Sequence, residues 1–409
     1  MKKTIKILLT ALFIISFSGC RNEVFYNIMN DVPPEKTTVS GVINSIARYK
    51  IDSTEFLVLS ADGGLRYKKA EDYSHTTWKT YSNLPFKLHS YEYYGQGHTG
   101  QQILKVLADK DTLYMVSVKY KNDELIGTSA PDKFYIWGKK ISLNSDGSWS
   151  TEGEWTEITR QRSDGTDLLQ YYKSNDYYYT RFNVFSTNSP NPNHRKVYVK
   201  SKSSTDTEYY EITGLNITDT ILTPIDGSDG KDIDGAAYHM NVIYFFDSSA
   251  VCSNETTNSS PTIIYFGKEK SSKLYYFDGS QADDGSNCHE VLNAGEHISC
   301  LAVTNDSVLI GRARKEKSTT TSGGIVRCSI ESDGKPSTSL SSFSNNAQTQ
   351  LSSSYLIYTL LSVDPSENEK NSALYSSIGF KGTGTSTSVN FNNIGLWSYY
   401  PSRGNWNRE

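Results

Sequence analysis

Apolar and polar residues alternate with a period of two in short runs along most of the chain. The first clear group spans residues 45–82, where four runs read SIARYKI, EFLVLS, GLRYKK and TWKTYS. Asp, Ser and Gly residues lie between these runs and supply the backbone geometry of tight turns between antiparallel strands. Four strands of this size make one blade of a β-propeller. The pattern therefore predicts an all-β chain built from such blades.

The same pattern recurs along the rest of the chain. Further strand pairs begin at Ile103, Leu168, Gly235, Ile298 and Tyr355. The separations between central residues of the second strands are 56, 65, 65, 66 and 65 residues, for Leu57, Leu113, Tyr178, Ile243, Leu309 and Leu374. One such repeat cannot cover its own apolar faces, so the repeats must stack around a ring.

We predict a six-bladed β-propeller over residues 40–409, because the even spacing fits one blade per repeat. The blades are expected near residues 41–84, 100–159, 167–214, 235–293, 296–345 and 354–409. The run PTIIYFGKE at 261–269 is a candidate for an extra strand, so seven blades are the alternative.

The repeat resembles the BNR-type repeats of sialidase-like propellers, and Ser60-Ala61-Asp62-Gly63-Gly64 is similar to their Asp-box. That box joins the third strand to the fourth, whereas residues 60–64 join the second predicted strand to the third. For an enzyme, the resemblance implies an arginine cluster, a tyrosine nucleophile with a glutamate partner, and an acid. The arginine followed by Ile-Pro that the family carries near its start is absent.

Residues 1–19 have the organisation of a signal peptide, with three lysines before an apolar run that is too short for a membrane span. The run ends in Phe17-Ser18-Gly19-Cys20, which resembles the lipobox of bacterial lipoproteins, especially spirochaetal ones. The family usually has Leu where Phe17 stands. The resemblance implies cleavage before Cys20 and acylation of Cys20, with residues 20–39 as a tether. An ordinary secretory signal is the alternative.

Lipid on Cys20 would place the protein in the bacterial cell envelope, with the outer membrane or cell surface favoured over the inner membrane. The membrane is then a partner through the anchor. The net charge is -4 and the isoelectric point about 6.0, so no basic field indicates nucleic acid as a partner. The 29 tyrosines fit the pleated, half-buried surfaces of an all-β fold.

An acidic turn, IDGSDGKDIDG, is the only candidate metal site that the sequence offers. It contains Asp226, Asp229, Asp232 and Asp234. Alternating carboxylates and glycines are typical of calcium loops, but this spacing fits no EF-hand, and a solvated turn is the alternative. We therefore predict no cofactor and leave Ca²⁺ binding by this turn open.

Long loops between second and third strands are predicted on one face, at 121–133, 186–195, 247–260, 315–323 and 381–394. The connection from blade 1 to blade 2 contains a candidate ligand-binding patch of Tyr91, Tyr93, Tyr94 and His98. Tyrosine supplies a large, stiff contact area at a low cost in conformational entropy. We predict that this face binds the ligand.

The sequence carries no nucleophile elbow, P-loop or dinucleotide fingerprint. We therefore predict that the chain is not an enzyme. The expected function is a membrane-anchored lipoprotein whose propeller binds or scaffolds a protein or glycan through its long loops. The alternative is a glycan-active propeller enzyme, a sialidase-like hydrolase or lyase, and a hydrolase needs two carboxylates about 5–10 Å apart.

Four cysteines lie beyond Cys20. Cys300 and Cys328 fall in the first and third predicted strands of one blade, too far apart for a disulfide, so we predict two buried free thiols. We also predict that Cys252, expected in a loop, and Cys288, expected at the start of a fourth strand, are unpaired.

Overall fold

The computed structural model divides the chain into two compact units, Met1–Thr37 and Thr38–Glu409, and all described residues lie in the second. The structure describes residues 39, 43–61, 64–72, 78–88, 100–120, 131–174, 177–186, 192–203, 207–219, 248–254, 263–268, 272–277, 288–304, 306–313, 324–343, 356–363, 373–379, 395–400 and 405–409. Within them the secondary structure is 26 β-strands and one short 3-10 helix, Pro192–His194.

In chain order the strands are β1 Ile43–Ile51, β2 Thr54–Ala61, β3 Gly64–Lys69, β4 Lys79–Tyr81, β5 Gln101–Ala108, β6 Leu113–Tyr120, β7 Pro131–Lys139, β8 Thr156–Glu157, β9 Tyr171–Ser174, β10 Tyr177–Thr180, β11 Phe182–Ser186, β12 Val197–Lys202, β13 Thr207–Thr213, β14 Asn216–Asp219, β15 Ser248–Asn254, β16 Ile263–Lys268, β17 Lys273–Phe277, β18 Cys288–Asn293, β19 His297–Val303, β20 Ser307–Ala313, β21 Ile325–Ser329, β22 Ser341–Ser342, β23 Leu356–Val363, β24 Ala373–Gly379, β25 Gly395–Tyr400 and β26 Asn405–Arg408.

The described strands form six four-stranded antiparallel sheets and one two-stranded ribbon, β9–β10. Each four-stranded sheet uses four consecutive strands in simple order, and we call them blades 1 to 6: β1–β4, β5–β8, β11–β14, β15–β18, β19–β22 and β23–β26. Apolar clusters pack blade 1 on 2, 2 on 3, 4 on 5, 5 on 6 and 6 on 1. The all-β propeller fold class is confirmed.

The first blade shows why the alternating runs form strands. In β2 the residues from Phe56 to Ala61 are all buried, because this strand packs against apolar clusters on both of its faces. β1 and β2 are joined by the tight turn Asp52-Ser53, in which Asp52 takes a left-handed backbone with a φ of 53°. Asp tolerates this conformation better than most residues, as the turn requires.

The first strand of each blade is the innermost one, and β1, β5, β11, β15, β19 and β23 contact their neighbours in this series except between β11 and β15. Five of the six carry a one-residue irregularity in their pairing with the second strand. It falls near the start of the strand, at residues 44, 104, 249, 299 and 358. A β-bulge increases the local twist of a strand. The repeated bulges therefore fit strands that must curve around a common axis.

Side chains close the ring between blades 6 and 1. The buried Arg48 guanidinium of β1 donates a hydrogen bond to the Ser362 carbonyl of β23. The Lys68 ammonium lies 2.9 Å from Oε2 of Glu409, and both side chains are fully buried. Trp78 Nε1 donates to the same carboxylate oxygen at 2.7 Å. Residue 409 thus joins the end of blade 6 to the third strand of blade 1.

A cluster of aromatic rings fills the junction of blades 1 and 2. The ring of Trp149, from the connection between β7 and β8, stacks on Tyr67 at 4.2 Å with an interplanar angle of 9°. Tyr49, Phe56 and Tyr81 meet the Trp149 ring edge-on at 5.6–5.8 Å. Edge-on and offset contacts are the geometries that aromatic quadrupoles favour.

Blade 3 begins later than predicted. Residues 171–180 form the separate ribbon β9–β10, so Tyr178 lies outside the four-stranded sheets. Residues 197–202 form the second strand of this blade, β12. The loop 186–195 therefore joins a first strand to a second, not a second to a third. The ribbon has the same alternation as a blade strand pair, and alternation does not say which sheet a strand joins.

Blade 4 also differs from its prediction. Its first strand is β15, and the run at 261–269 supplies its second strand, β16. The predicted strand pair from Gly235 and its marker Ile243 lie outside the described residues. Second strands begin at residues 54, 113, 197, 263, 307 and 373, so their spacing ranges from 44 to 84. The even spacing inferred from the sequence was wrong.

The prediction of buried free thiols is confirmed for Cys300 and Cys328. Cys300 in β19 and Cys328 in β21 are buried free thiols, separated by strand β20. Burial raises the pKa of Cys300 to about 12 and that of Cys328 to about 11. Cys252 lies in strand β15 rather than in a loop, and Cys288 opens β18 as predicted. In the part of the chain described, no helix has the length and apolarity needed to span a membrane.

Candidate functional site

The predicted site residues all lie outside the described part of the chain. This holds for the lipidation site Cys20, for the aromatic patch and for the acidic turn, that is, for Tyr91, Tyr93, Tyr94, His98, Asp226, Asp229, Asp232 and Asp234. Among the residues that the structure does describe, no group of three or more His, Cys, Asp or Glu side chains could hold a metal ion. These assignments remain predictions.

The strands around the propeller axis carry no carboxylate. None of the six first strands, β1, β5, β11, β15, β19 and β23, contains Asp or Glu. Their ionisable cationic groups are Arg48, Lys50, Lys105 and His297. Acid–base chemistry with two carboxylates therefore cannot use side chains of these strands.

A cavity of about 270 Å³ lies beside the third strand of blade 2. Its walls are the first half of β7, the end of β8 and the segment 158–171. Its volume lies just below the range of about 300–1,000 Å³ that small-molecule sites occupy. Strands alternate in direction within a blade, so this cavity opens on the face that carries the second-to-third connections. We call it the blade 2 pocket.

The pocket exists because β8 covers only part of β7. β8 has two residues, and they pair with Trp137 and Gly138. Beyond them, the Ile158 amide donates to the Ile136 carbonyl at 2.8 Å. Backbone groups alternate between the two sides of a strand, so the N–H and C=O of Phe134 point to the same side as those of Ile136. Within the described residues, no backbone hydrogen bond reaches Phe134 from that side.

Buried apolar side chains line the inner part of the pocket. Phe134, Ile136, Ile158 and Leu168 are all buried lining residues. The Phe134 ring packs edge-on against Phe182 of blade 3 at 5.0 Å. This packing ties the pocket to the junction of blades 2 and 3.

Charged and aromatic groups form the outer part. The Lys133 ammonium donates to the Glu157 carboxylate at 2.7 Å and lies 4.6 Å from the centre of the Tyr135 ring. The hydrogen bond to Glu157 is the main cause that raises the pKa of Lys133, and the charge of Asp167 adds to it. Two carboxylates of the pocket, Glu157 and Asp167, therefore act on the same lysine. A third, Asp132, lies 3.4 Å from a lysine of β6.

The wall formed by residues 158–171 is fixed to blade 3. Arg160 donates to the Ile217 carbonyl at 2.9 Å. The buried Arg162 donates to the Ser201 carbonyl at 2.7 Å, and the Ser201 hydroxyl donates to the Leu168 carbonyl at 2.6 Å. Hydrogen bonds to buried polar groups of this kind hold a loop in one geometry. The pocket is thus built from two blades.

A repeated tripeptide, which none of the sequence predictions used, shapes this wall. The tripeptide Ser-Asp-Gly occurs at 145–147, 163–165, 228–230 and 332–334. In the three described copies, the Asp accepts a hydrogen bond from the amide two residues later, at 2.9–3.1 Å, and the glycine has a φ of 75–84°. The second copy turns the chain so that Asp167 and Leu168 face the pocket.

Comparisons with known proteins support the propeller fold and nothing beyond it. No family model matches the chain, and no curated protein matches it. The chain is similar to a PQQ-bound aldose sugar dehydrogenase from Streptomyces coelicolor, with 12% identity, 90% of this chain and 99% of that chain covered, and a TM-score of 0.40. The BNR-like and lipoprotein resemblances gain no support from these similarities and stay predictions.

Two further solved structures match. One is a putative oxidoreductase (glucose dehydrogenase) from Thermus thermophilus, at 11% identity, 87% and 95% coverage and a TM-score of 0.41. The other is a glycosyl hydrolase from Bacteroides ovatus, at 8% identity, 88% and 83% coverage and a TM-score of 0.31. These values show a shared propeller fold and assign no particular activity to this chain.

One functional prediction is nevertheless corrected. The sequence analysis predicted a protein that is not an enzyme, and the solved structures that share its fold are mostly enzymes. That prediction is contradicted, and we withdraw it. Its basis, the lack of short catalytic motifs, was weak, because propeller enzymes assemble their sites from residues far apart in sequence.

Proposed function

We propose that the protein is a lipid-anchored, glycan-active propeller of the bacterial cell envelope, with the blade 2 pocket as its glycan site. The proposal rests on the distribution of carboxylates. The first strands have none, whereas the blade 2 pocket collects Asp132, Glu157 and Asp167. Two carboxylates at one site are what glycoside hydrolysis requires.

The lining of the pocket suits a sugar. Hydroxyl groups of a sugar both donate and accept hydrogen bonds, and the pocket offers carboxylates, a lysine, an arginine and a glutamine. One face of a sugar ring carries C–H groups, which pack on the negative face of an aromatic ring. Tyr135 and Tyr171 line the pocket beside these polar groups. The pocket can therefore bind both the hydroxyl groups and the C–H face of a sugar ring.

We assign different roles to the carboxylates of Glu157 and Asp167. The carboxylate of Glu157, held by Lys133 at 2.7 Å, stabilises positive charge that develops on a reacting sugar. Asp167 has no ion pair among the described residues, and we assign it the proton transfer to a glycosidic oxygen. The anchor at Cys20 would hold this site near envelope or surface glycans.

The test uses the full-length protein in a detergent without a sugar head group. A panel of saccharides is screened for binding by saturation-transfer NMR and for turnover by product analysis. We expect Glu157→Gln to weaken binding or turnover at least tenfold, and Asp167→Asn to lower turnover by about 10²–10⁴ if it transfers a proton. Glu290→Gln is the matched control, because Lys273 and Glu290 form a similar exposed pair at 3.0 Å between β17 and β18.

The outcomes separate clearly. Loss of function in the two pocket variants with retention in Glu290→Gln supports the proposal. If no saccharide binds or reacts, or if the control loses as much as the pocket variants, the proposal is wrong. Metabolic labelling with palmitate tests the anchor separately, since Cys20→Ser should abolish incorporation.

A further inference from the structure

A line of side chains crosses blade 2 from its first strand to the blade 2 pocket. The Ser117 hydroxyl of β6 donates to Oε1 of Gln101 in β5 at 2.7 Å and accepts a hydrogen bond from Trp137 Nε1 of β7 at 3.1 Å. The Trp137 ring stacks on Tyr135, with ring centres 5.5 Å apart and an interplanar angle of 17°. The Lys133 ammonium lies 4.6 Å from the centre of the Tyr135 ring. The line therefore links the innermost strand to the lysine of the pocket.

The register of the sheet places these side chains on one face of blade 2. Lys133, Tyr135 and Trp137 alternate along β7, and residues two apart in a strand share a face. Ser117 lies opposite Tyr135 in β6, and Glu157 lies opposite Trp137 in β8. Directly opposed residues of an antiparallel pair also share a face. Glu157 is therefore on the same face as the line, where Lys133 donates to it at 2.7 Å.

The two ends of the line differ in burial. Ser117 and Gln101 are buried, so their hydrogen bond is fixed in the interior. The side chains of Lys133 and Glu157 are 49% and 30% exposed. Exposed ion pairs hold their side chains weakly, because ordering a lysine costs rotamer entropy and water screens the attraction. The Tyr135 ring gives the ammonium a second contact, and Trp137 holds that ring by stacking on it.

We propose that Trp137 and Ser117 are positioning residues for Glu157. They hold Tyr135 and Lys133 in place, and these two hold the carboxylate in the orientation that acts on the sugar. Neither Trp137 nor Ser117 lines the pocket, so they act through their neighbours. This inference rests on the proposed glycan function and adds residues to its site. Preorganised charges act mainly on the transition state, so loss of the line should lower kcat and leave KM nearly unchanged.

The first experiment observes Lys133 without any ligand. Full-length protein with ¹³C at the lysine Cε positions is studied by NMR relaxation in a detergent without a sugar head group, and Lys133→Arg identifies the signal. We expect Trp137→Leu to lower the order parameter of the Lys133 Cε, because the Tyr135 ring loses its stacking partner. Tyr276→Leu is the matched control, since Tyr276 is a partly buried ring on the third strand of blade 4 that stacks on His289 at 4.7 Å.

The second experiment measures kcat and KM on the p-nitrophenyl glycosides of glucose, galactose, mannose and N-acetylglucosamine. p-Nitrophenolate leaves with little need for a proton, so the rate reports charge stabilisation at the sugar rather than proton transfer. We expect Trp137→Leu to lower kcat about tenfold or more and Ser117→Ala to lower it about threefold, with KM changed by less than about twofold. Trp137→Phe keeps a ring that can stack, so it should recover most of the kcat lost in Trp137→Leu. Tyr276→Leu should match the parent.

Each outcome decides something different. A fall in both kcat and the Lys133 order parameter in Trp137→Leu, with neither in Tyr276→Leu, supports the inference. If Trp137→Leu lowers kcat no more than Tyr276→Leu, changes only KM, or leaves the order parameter unchanged, the positioning roles are wrong while the glycan function stands. If glycosides bind and none reacts, the positioning roles fail and glycan binding stands. If no glycoside binds or reacts, both the proposed function and this inference fail.

Discussion

Replacing Glu409 with Gln should weaken the contact between blades 6 and 1 and so lower the stability of the propeller. The Glu409 carboxylate lies 2.9 Å from the Lys68 ammonium and 2.7 Å from Trp78 Nε1, and both charged side chains are fully buried. Removing one partner of a buried ion pair typically costs about 3–5 kcal/mol, because the other charge stays buried. We expect Glu409→Gln to lower the free energy of unfolding by that amount.

The measured quantity is the midpoint of thermal unfolding of the full-length protein, followed by tryptophan fluorescence. An unfolding entropy of about 2.1 cal/mol/K per residue converts this loss to roughly 4–6 °C for a unit of this size. The matched control is Glu211→Gln, which breaks the surface pair with Lys196 at 3.1 Å. Surface pairs contribute about 0–1 kcal/mol, so the control should shift the midpoint by about 1 °C or less.

The pH dependence gives a second, independent readout. Burial lowers the pKa of Lys68 from its ordinary value, and Glu409 partly restores it. Without Glu409 the pKa of Lys68 falls further, so the unfolded chain binds one more proton than the folded variant over a wider range below pH 10.5. Stability of the variant therefore rises with pH in that range, and its deficit relative to the parent should shrink as the pH rises toward 10.5. Equal midpoint shifts in both variants, or a deficit independent of pH, would refute this reasoning.

Three further predictions follow from the core. Cys300 and Cys328 should resist thiol labelling up to pH 9 until urea unfolds the protein, because burial raises their pKa values to about 12 and about 11. Gly311→Ala should destabilise by about 1–3 kcal/mol, since its Cβ would lie 2.3 Å from the Cys300 sulfur, whereas Gly165→Ala meets no side chain and loses stability only through its φ of 78°. Arg195→Met should lower the free energy of unfolding, measured in urea, by about 1.5–3 kcal/mol, because the buried guanidinium donates a 2.7 Å hydrogen bond to a glutamate of blade 1.

The fold class could be predicted from alternation alone, but the position of blade 3 could not. The ribbon β9–β10 reads YYKS and YYYT, which alternates as well as any blade strand pair. Which strand becomes innermost depends on what packs against it, and Val184 of β11 is buried against blade 2. That contact joins residues far apart in sequence, so a local pattern cannot reveal it.

The pocket could not be predicted for a similar reason. It forms where β8 stops after two residues and leaves Phe134 of β7 uncovered. The sequence of β7, PDKFYIWGK, contains no residue that indicates a short neighbouring strand. Only the Ser-Asp-Gly turn at 163–165, one of four copies, gave a local signal near the site, and it indicates a turn rather than a ligand.

The central claim is that glycans bind off the axis, at the blade 2 pocket. Hydrogen exchange of the full-length protein, with and without a saccharide that binds in the panel screen, tests it most directly. We predict that the saccharide slows exchange in peptides covering residues 131–136 and 157–171 and leaves the first strands unchanged. Slower exchange confined to residues 43–51, 297–303 and 356–363, at the propeller axis, would contradict the account.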